Sequence, residues 1–234
     1  MPPEARAVIF DLDDTLYLQD QFVLSGFKAA AQHLEKLTDI SRQRTLEILV
    51  QAFRSGARGR ELQFLMVKLS LPNTFIPVLL EVIRSHRPQL ALPTTSAQAL
   101  DALRGRWRLG IVTNGPPDMQ ARKVSALGLA PLVDTVVYAH EIGTGAGKPD
   151  PAPFLEAAGR LGVPVSRTVF VGDNQETDVV GAAGVGMRTI RVDPSGGEYD
   201  WLNPQAADAT VRSLTEVPNV AERLVEGNGG VHVI

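Results

Sequence analysis

The chain has 234 residues, of which 44% are hydrophobic and 21% are charged, and its formal net charge is -3. This balance is typical of a globular protein and argues against nucleic-acid binding, which usually needs a basic face. The absence of cysteine excludes disulfides, thiol catalysis and thiolate metal sites. Because no apolar run is long enough to span a bilayer and no signal peptide precedes the first predicted strand, we expect no membrane partner and a cytoplasmic location.

The first predicted element is a short buried strand that ends in acidic residues. The apolar residues 7–10 are followed by Asp11 and Asp13. Side chains two residues apart in a strand point to the same face, so the two carboxylates would share one small space. Crowded carboxylates need a cation or a proton between them. One carboxylate able to attack and one able to carry a proton also suit phosphoryl transfer through an aspartyl-phosphate.

The next segment is predicted to be helical throughout. From Tyr17 to Pro88, apolar residues recur at three- and four-residue spacing, and no convincing strand is present. Ser41 and Asn73 are predicted to be helix N-caps, because their short polar side chains can accept hydrogen bonds from backbone N–H groups.

From Ala91 onward the pattern alternates between strands and helices. Strands are predicted at 108–113, 135–139, 168–172 and 188–192, with helices at 117–127, 151–161 and 179–183. Such alternation predicts an α/β fold with a Rossmann-like parallel sheet and helices on both faces. The helical block is then an insert, so we predict an α/β core domain of residues 1–16 and 90–234 and a helical domain of residues 17–89.

Polar residues follow several predicted strands, and the ends of parallel strands meet at one edge of a sheet. Thr113 ends one predicted strand and Asn114 follows it, and both could bind phosphoryl oxygens. Lys148 follows a glycine-rich loop and could bring a positive charge to a bound phosphate. Asp173 and Asp178 follow another strand and offer the hard oxygen ligands that Mg²⁺ prefers.

In this order, these residues resemble the four motifs of the haloacid dehalogenase (HAD) superfamily of phosphohydrolases. The resemblance covers nearly the whole chain and begins with the pattern D-x-D-x-T at residues 11–15. The helical block at residues 17–89 resembles the cap domain that one subclass of the superfamily inserts after the first motif. The resemblance therefore implies a phosphohydrolase core with a helical cap that closes over the site and contacts the leaving group.

The resemblance also implies roles for the acidic residues. Asp11 would be the nucleophile that becomes transiently phosphorylated. Asp13 would protonate the leaving oxygen and then deprotonate the hydrolytic water. Mg²⁺ would be held by the Asp11 carboxylate, the Asp13 backbone carbonyl and the Asp173 carboxylate, and Asp178 would act on the metal through water or through another ligand.

The remaining motif residues would act on the phosphoryl group. Thr113, Asn114 and Lys148 would bind its oxygens and neutralise charge in the transition state. We therefore predict a hydrolase, a Mg²⁺-dependent phosphatase that acts on a small phosphate monoester such as a nucleotide or a sugar phosphate. Dehalogenation is disfavoured because it requires neither a metal nor an acid two residues after the nucleophile.

Two alternatives stay open at this point. A phosphomutase of the same superfamily would use every residue named above. A non-catalytic signalling or binding module that is phosphorylated on aspartate would share the acceptor, the acids, the threonine and the lysine, but would have no use for Asp13. The sequence does not identify the phosphate ester or the oligomeric state. Arg54, Arg58 and Arg60 of the helical block fit either a solvated loop or the recognition of a substrate anion.

Overall fold

The computed structural model describes residues 5–193 and 207–227, and the chain divides into two compact units. Residues 1–18 and 91–234 belong to the first, here called the α/β unit, and residues 19–90 to the second, here called the helical unit. The assignment of functional domains to residues 1–16 with 90–234 and to residues 17–89 stays a prediction. Residues 1–4, 194–206 and 228–234 of the predicted core domain lie outside the described residues.

The described part of the α/β unit contains one sheet of six parallel strands, in the order β3-β2-β1-β4-β5-β6. The strands are β1 Ala7–Phe10, β2 Arg108–Thr113, β3 Thr135–Tyr138, β4 Thr168–Gly172, β5 Arg188–Val192 and β6 Ala209–Val211. This sheet confirms the predicted parallel α/β fold. The short strand β6 was not predicted, because three residues are too few to show a periodicity.

Helices account for most of the remaining described residues. The helical unit contains α1 Asp20–Leu37, α2 Arg42–Arg54, α3 Glu61–Leu69 and α4 Phe75–Ser85. The α/β unit contains α5 Thr94–Leu103, α6 Pro117–Ala126, α7 Pro151–Leu161, α8 Val180–Gly184 and α9 Val217–Glu226. Short 3₁₀ turns lie at 130–132, 139–141, 165–167 and 214–216, and a π-helical turn lies at Gln175–Val179. None of the described helices combines the length and apolar character that crossing a membrane requires.

Strand β1 lies at the centre of the sheet, and this explains its composition. All four of its residues are fully buried, because β2 and β4 flank the strand and both faces of the sheet are covered. The chain proceeds from β1 through β2 to β3 on one side and then continues with β4 on the other side of β1. A sheet with this order has its binding crevice at the carboxyl ends of the two strands where the direction changes, here β1 and β4.

The helical unit has an apolar core of its own. Residues from all four helices contribute to it, among them Leu34, Leu49, Leu65 and Leu79, and each of these is fully buried.

The two predicted helix caps in this unit have different outcomes. Ser41 caps α2 as predicted, because its hydroxyl accepts a hydrogen bond from the N–H of Arg44 at 3.3 Å. The prediction for Asn73 is wrong. Helix α4 begins at Phe75 after Thr74, whose backbone is already helical and whose side chain makes no capping hydrogen bond.

Candidate active site

Three acidic side chains converge at the carboxyl ends of β1 and β4. Asp11 directly follows β1, and its N–H extends the sheet by donating to the carbonyl of Val171 in β4 at 2.8 Å. Asp11, Asp173 and Asp178 each offer a carboxylate oxygen, and these oxygens all lie within 4.8 Å of one another. The structure therefore brings together three of the four acids that the sequence analysis predicted to act on a metal.

Lys148 lies within this acidic cluster. Its Nζ donates to Oδ1 of Asp11 and, at 2.7 Å, to Oδ1 of Asp178, and its side chain is only 2% exposed. Burial lowers the pKa of Lys148, but the negative charges of the two aspartates outweigh burial and raise it above its usual value. The lysine is therefore a fixed positive charge beside Asp11.

Burial is the main reason that the pKa values of two of the acids are raised. Burial, together with the charge of Asp178 and against the opposing effect of Lys148, raises the pKa of Asp11 to about 7. Burial and the charges of Asp178 and Asp14 raise the pKa of Asp173 to about 6. Excess negative charge among oxygen ligands fits a hard divalent cation, which would stabilise the ionised carboxylates.

The turn after β4 is shaped to receive Asp178. A Cβ on Gly172 would overlap the Asp178 side chain, so only glycine leaves room for that carboxylate. Asn174 caps the next turn by accepting hydrogen bonds from two backbone N–H groups, and its own N–H donates to Oδ2 of Asp178 at 3.1 Å. The following turn is π-helical, a geometry that is frequent at functional sites.

Asn114 contacts the backbone of Lys148 through both ends of its side-chain amide. Its Nδ2 donates to the carbonyl of Lys148 at 2.9 Å, and its Oδ1 accepts from the N–H of Lys148 at 2.7 Å. Gly147 precedes the lysine with φ +76°, and a Cβ there would meet both Asn114 and His140. The side chain of Asn114 is thus engaged in holding the Lys148 segment.

The carboxylate of Asp13 makes a separate set of contacts. Lys123 Nζ donates to both of its oxygens, at 2.7 and 2.9 Å, and Tyr17 Oη donates to Oδ1 at 2.6 Å. Gln120 Nε2 donates to Oδ2 at 2.7 Å and also to the hydroxyl of Thr113 at 2.5 Å. Burial, followed by the charge of Asp13, raises the pKa of Tyr17, so its hydroxyl stays protonated and able to donate.

Gln120 and Lys123 were not identified as site residues from the sequence. Both lie on the buried face of α6 together with Val124, and their exposed fractions are 0% and 1%. A signal was present in the sequence, because an amide and a charged side chain occupy apolar positions of a helix that directly follows Thr113 and Asn114. Thr15 is a smaller addition, since its hydroxyl donates to Oδ1 of Asp173 at 3.3 Å.

Three arginines that the sequence suggested as possible anion-binding residues belong to the helical unit. Arg54, Arg58 and Arg60 are all exposed, at the end of α2 and just before α3. Arg58 pairs with Asp20 at 3.1 Å and lies over the ring of Phe53 at 4.9 Å. It also lines a cavity of about 360 Å³ in the helical unit, whose other lining residues are mostly apolar. Recognition of a substrate anion by these arginines stays a prediction.

Comparisons with known proteins agree with this arrangement. Residues 5–186 match the family model of the haloacid dehalogenase-like hydrolases. A glyceraldehyde 3-phosphate phosphatase of Methanocaldococcus jannaschii is 27% identical over 94% of this chain and 98% of its own length. The glyceraldehyde 3-phosphate phosphatase of Methanopyrus kandleri is 30% identical over 87% of this chain and 89% of its own length.

The solved structure of an enzyme named for a different reaction is also similar. The 2-haloacid dehalogenase of Pseudomonas syringae is 30% identical, covers 94% of this chain and 99% of its own, and superposes with a TM-score of 0.65. The family match confirms the predicted superfamily and hydrolase class, and the two phosphatase relatives support the predicted phosphatase. This chain belongs to the haloacid dehalogenase-like hydrolases.

Proposed function

We propose that this protein is a Mg²⁺-dependent phosphatase that hydrolyses a small phosphate monoester through an aspartyl-phosphate on Asp11. The observation that carries the proposal is the cluster of Asp11, Lys148, Asp173 and Asp178 at the switch point of the sheet. A nucleophilic carboxylate beside a buried cation and two further acids suits the transfer of a dianionic phosphoryl group. The similarity to two glyceraldehyde 3-phosphate phosphatases favours a short sugar-type phosphate as the substrate class.

The chemistry requires two steps at Asp11. In the first step, a carboxylate oxygen of Asp11 forms a bond to phosphorus while the bond to the leaving oxygen breaks, and Asp13 gives its proton to that oxygen. In the second step, Asp13 takes a proton from water as the water oxygen attacks the same phosphorus. Inorganic phosphate leaves, and the Asp11 carboxylate is restored.

The other motif residues would support both steps. Lys148 would neutralise charge on the phosphoryl oxygens, and Asn114 would hold the lysine there through its two backbone hydrogen bonds. Thr113 would offer its hydroxyl to a phosphoryl oxygen. The helical unit is proposed to be the cap that sets specificity for the leaving group, since a cap is inserted at the corresponding place in one subclass of the superfamily.

The acidic residues fit a resident Mg²⁺. The carboxylates of Asp11 and Asp173 and the backbone carbonyl of Asp13 would hold it, and Asp178 would act on it through a bound water. When bound, Mg²⁺ would neutralise the crowded carboxylates and polarise a phosphoryl oxygen.

The test is phosphate release from a panel of esters, with Mg²⁺ and with EDTA. The panel contains glyceraldehyde 3-phosphate, phosphoserine, glycerol 3-phosphate, several nucleotides and p-nitrophenyl phosphate. We expect metal-dependent turnover that is abolished in Asp11→Asn, while Asp101→Asn, an exposed aspartate on α5, keeps wild-type activity. Substantial turnover by the Asp11→Asn protein would contradict the proposal, and a stable phosphoprotein without phosphate release would favour a non-catalytic module.

Haloacid dehalogenation is the second candidate function, because the similar Pseudomonas syringae protein is named as a 2-haloacid dehalogenase. Displacement of halide from carbon also needs a nucleophilic aspartate, but it needs neither the acidic cluster nor a proton donor at Asp13. Chloride release from 2-chloropropionate in EDTA, without phosphate release from any ester of the panel, would establish dehalogenation instead.

A further inference from the structure

The carboxylate of Asp13 is held by three side chains that the sequence motifs do not include. Lys123, Gln120 and Tyr17 donate four hydrogen bonds of 2.6 to 2.9 Å to its two oxygens. All three donors belong to the same α/β unit as Asp13. The direction of this carboxylate is therefore determined by its neighbours rather than by the rotamer preference of a free aspartate.

Helix α6 supplies two of the three donors from one face. Gln120 and Lys123 are three residues apart, so their side chains lie on the same side of the helix, and this side is buried. The helix begins with Pro117 directly after the turn that carries Thr113 and Asn114. The two donors therefore lie on the helix that follows Thr113 and Asn114 in the chain.

Gln120 also connects Asp13 to Thr113. One amide group, Nε2, donates both to Oδ2 of Asp13 and to the hydroxyl of Thr113. The amide oxygen of Gln120 is buried and has no hydrogen-bond partner among the described residues. A buried carbonyl group without a partner costs stability, so the orientation that serves Asp13 and Thr113 is maintained despite a penalty.

Burial of the Lys123 ammonium carries a desolvation penalty that an apolar side chain would avoid. The Lys123 side chain is 1% exposed and that of Asp13 is 19% exposed, so the pair is largely removed from water. Buried ion pairs are often no more stabilising than apolar residues of similar volume, because desolvation offsets the attraction between the charges. A structural role alone therefore accounts poorly for a lysine at this position.

We propose that Lys123, together with Gln120 and Tyr17, is a positioning residue that fixes the direction of the Asp13 side chain during phosphoryl transfer. Asp13 carries a proton when the leaving oxygen departs, and it is ionised, as in the hydrogen-bonded form described above, when it takes a proton from the hydrolytic water. This inference rests on the proposed phosphatase function and assigns residues that the superfamily motifs leave out. Lys123 touches neither substrate nor metal in this scheme, and it acts only through Asp13.

The test compares leaving groups that differ in their need for a proton. For p-nitrophenyl phosphate the leaving phenolate is stable without protonation, whereas an alkoxide must be protonated as it departs. The parameter is kcat/KM, because it reports the steps up to leaving-group departure and excludes hydrolysis of the phosphoenzyme. The alkyl ester is the one that the wild-type protein turns over best in the panel above.

For Lys123→Met we expect kcat/KM to fall about 100-fold for the alkyl phosphate and less than about 10-fold for p-nitrophenyl phosphate. Lys123→Arg keeps a charged donor and should recover at least half of the loss on a logarithmic scale. Lys36→Met, an exposed lysine on α1, is the matched control and should leave both values unchanged.

Tyr17→Phe removes one oxygen atom and serves as the second variant if Lys123→Met does not fold. It should show the same selectivity for the alkyl ester with a smaller loss. Equal losses for both esters in a folded variant, or an effect confined to KM, would overturn the positioning role while leaving the phosphatase intact. Absence of turnover in the wild-type protein would instead reject the phosphatase function itself.

Discussion

The side chain of Asn114 makes two hydrogen bonds to a single neighbouring residue beside the candidate site. The nitrogen and the oxygen of its side-chain amide both form hydrogen bonds with the backbone of Lys148, which lies 34 residues later in the chain. Binding of phosphoryl oxygens by this side chain stays a prediction. The geometry points to an indirect contribution, in which the asparagine fixes the segment that carries the lysine.

Replacing Asn114 should therefore affect both stability and catalysis. In Asn114→Ala, the N–H and the carbonyl of Lys148 lose their partner, which should cost about 1–3 kcal/mol in the free energy of unfolding. Asn114→Asp can still accept from the N–H but cannot donate to the carbonyl, so we expect an intermediate loss. Urea denaturation measures the stability, and phosphatase assays should show a higher KM in the same order. Unchanged stability of Asn114→Ala would contradict this account.

The raised pKa values of Asp11 and Asp173 predict that the proposed Mg²⁺ binding depends on pH. Their pKa values lie at about 7 and about 6, above the ordinary value of 3.8, so the metal-free folded protein retains protons that the unfolded chain has released. The stability that these groups contribute is thus present below pH 3.8 and is lost as the pH rises through about 7. Because the proposed Mg²⁺ would bind the ionised carboxylates, its affinity should rise as the pH rises.

We expect Mg²⁺ to raise the melting temperature more at about pH 8 than at about pH 5.5, because fewer protons must be displaced at the higher pH. The measurement is thermal unfolding with Mg²⁺ and with EDTA at both pH values. Asp173→Asn should reduce the shift at both. A Mg²⁺-induced shift that is the same at the two pH values would contradict the proton linkage.

At the scale of elements, the connection from β4 to the π-helical turn Gln175–Val179 positions two of the acids. Gly172 ends the strand, Asp173 follows it, and the turn returns the chain so that Asp178 packs against the glycine. The strand end and the turn are thus fitted to each other without space for a methyl group between them.

Gly172→Ala should disturb this fit. The added Cβ would overlap the Asp178 carboxylate, and we expect a loss of about 1–3 kcal/mol in unfolding free energy together with weaker activation by Mg²⁺. Gly159→Ala is the matched control, since Gly159 is exposed on α7 with open space around its Cα. Alanine is the better helix former, so this control should stabilise the protein by about 0.5–1 kcal/mol. Denaturant titration with and without Mg²⁺ separates the two outcomes, and a neutral Gly172→Ala would refute the steric argument.

At the scale of the whole molecule, the described residues include a hydrophobic core in each of the two units. The core of the helical unit is formed by residues of α1 to α4, and a core of the α/β unit is formed around Ile9, Phe154 and Phe170. The residues of each core belong to a single unit. A cavity in one core should therefore first weaken the helices or strands that surround it.

Leu49→Ala is designed to test this organisation. Leu49 is fully buried in the helical unit, and its truncation should cost about 2–5 kcal/mol in local unfolding free energy. Hydrogen exchange followed by mass spectrometry should show faster exchange in residues 19–90, with a smaller change in β1 and β4. Leu37→Ala, at a position that is 51% exposed, is the matched control and should leave exchange nearly unchanged. Equal acceleration in both units would show that they unfold as one cooperative body.

The parallel α/β fold and the placement of the acids after strands could be predicted from the amino-acid sequence. Buried strands such as β1 leave a local apolar pattern, and the polar residues after them are read directly from the order of the chain. Exact boundaries were predicted for β2, β4, β5 and α7, because each combines an apolar pattern with clear flanking residues. The cap at Asn73 was misassigned because neighbouring Thr74 is an equally good local signal.

The contacts between side chains of the candidate site could not be predicted from the sequence. Lys123 lies 110 residues after Asp13, and Lys148 lies 137 residues after Asp11. No periodicity or local preference encodes such distances, since they depend on the stacking of strands that are remote in sequence. A parallel sheet brings the ends of distant strands to one edge. The contacts of Asn114 with Lys148, of Gln120 with Thr113 and of Lys123 with Asp13 follow from this arrangement.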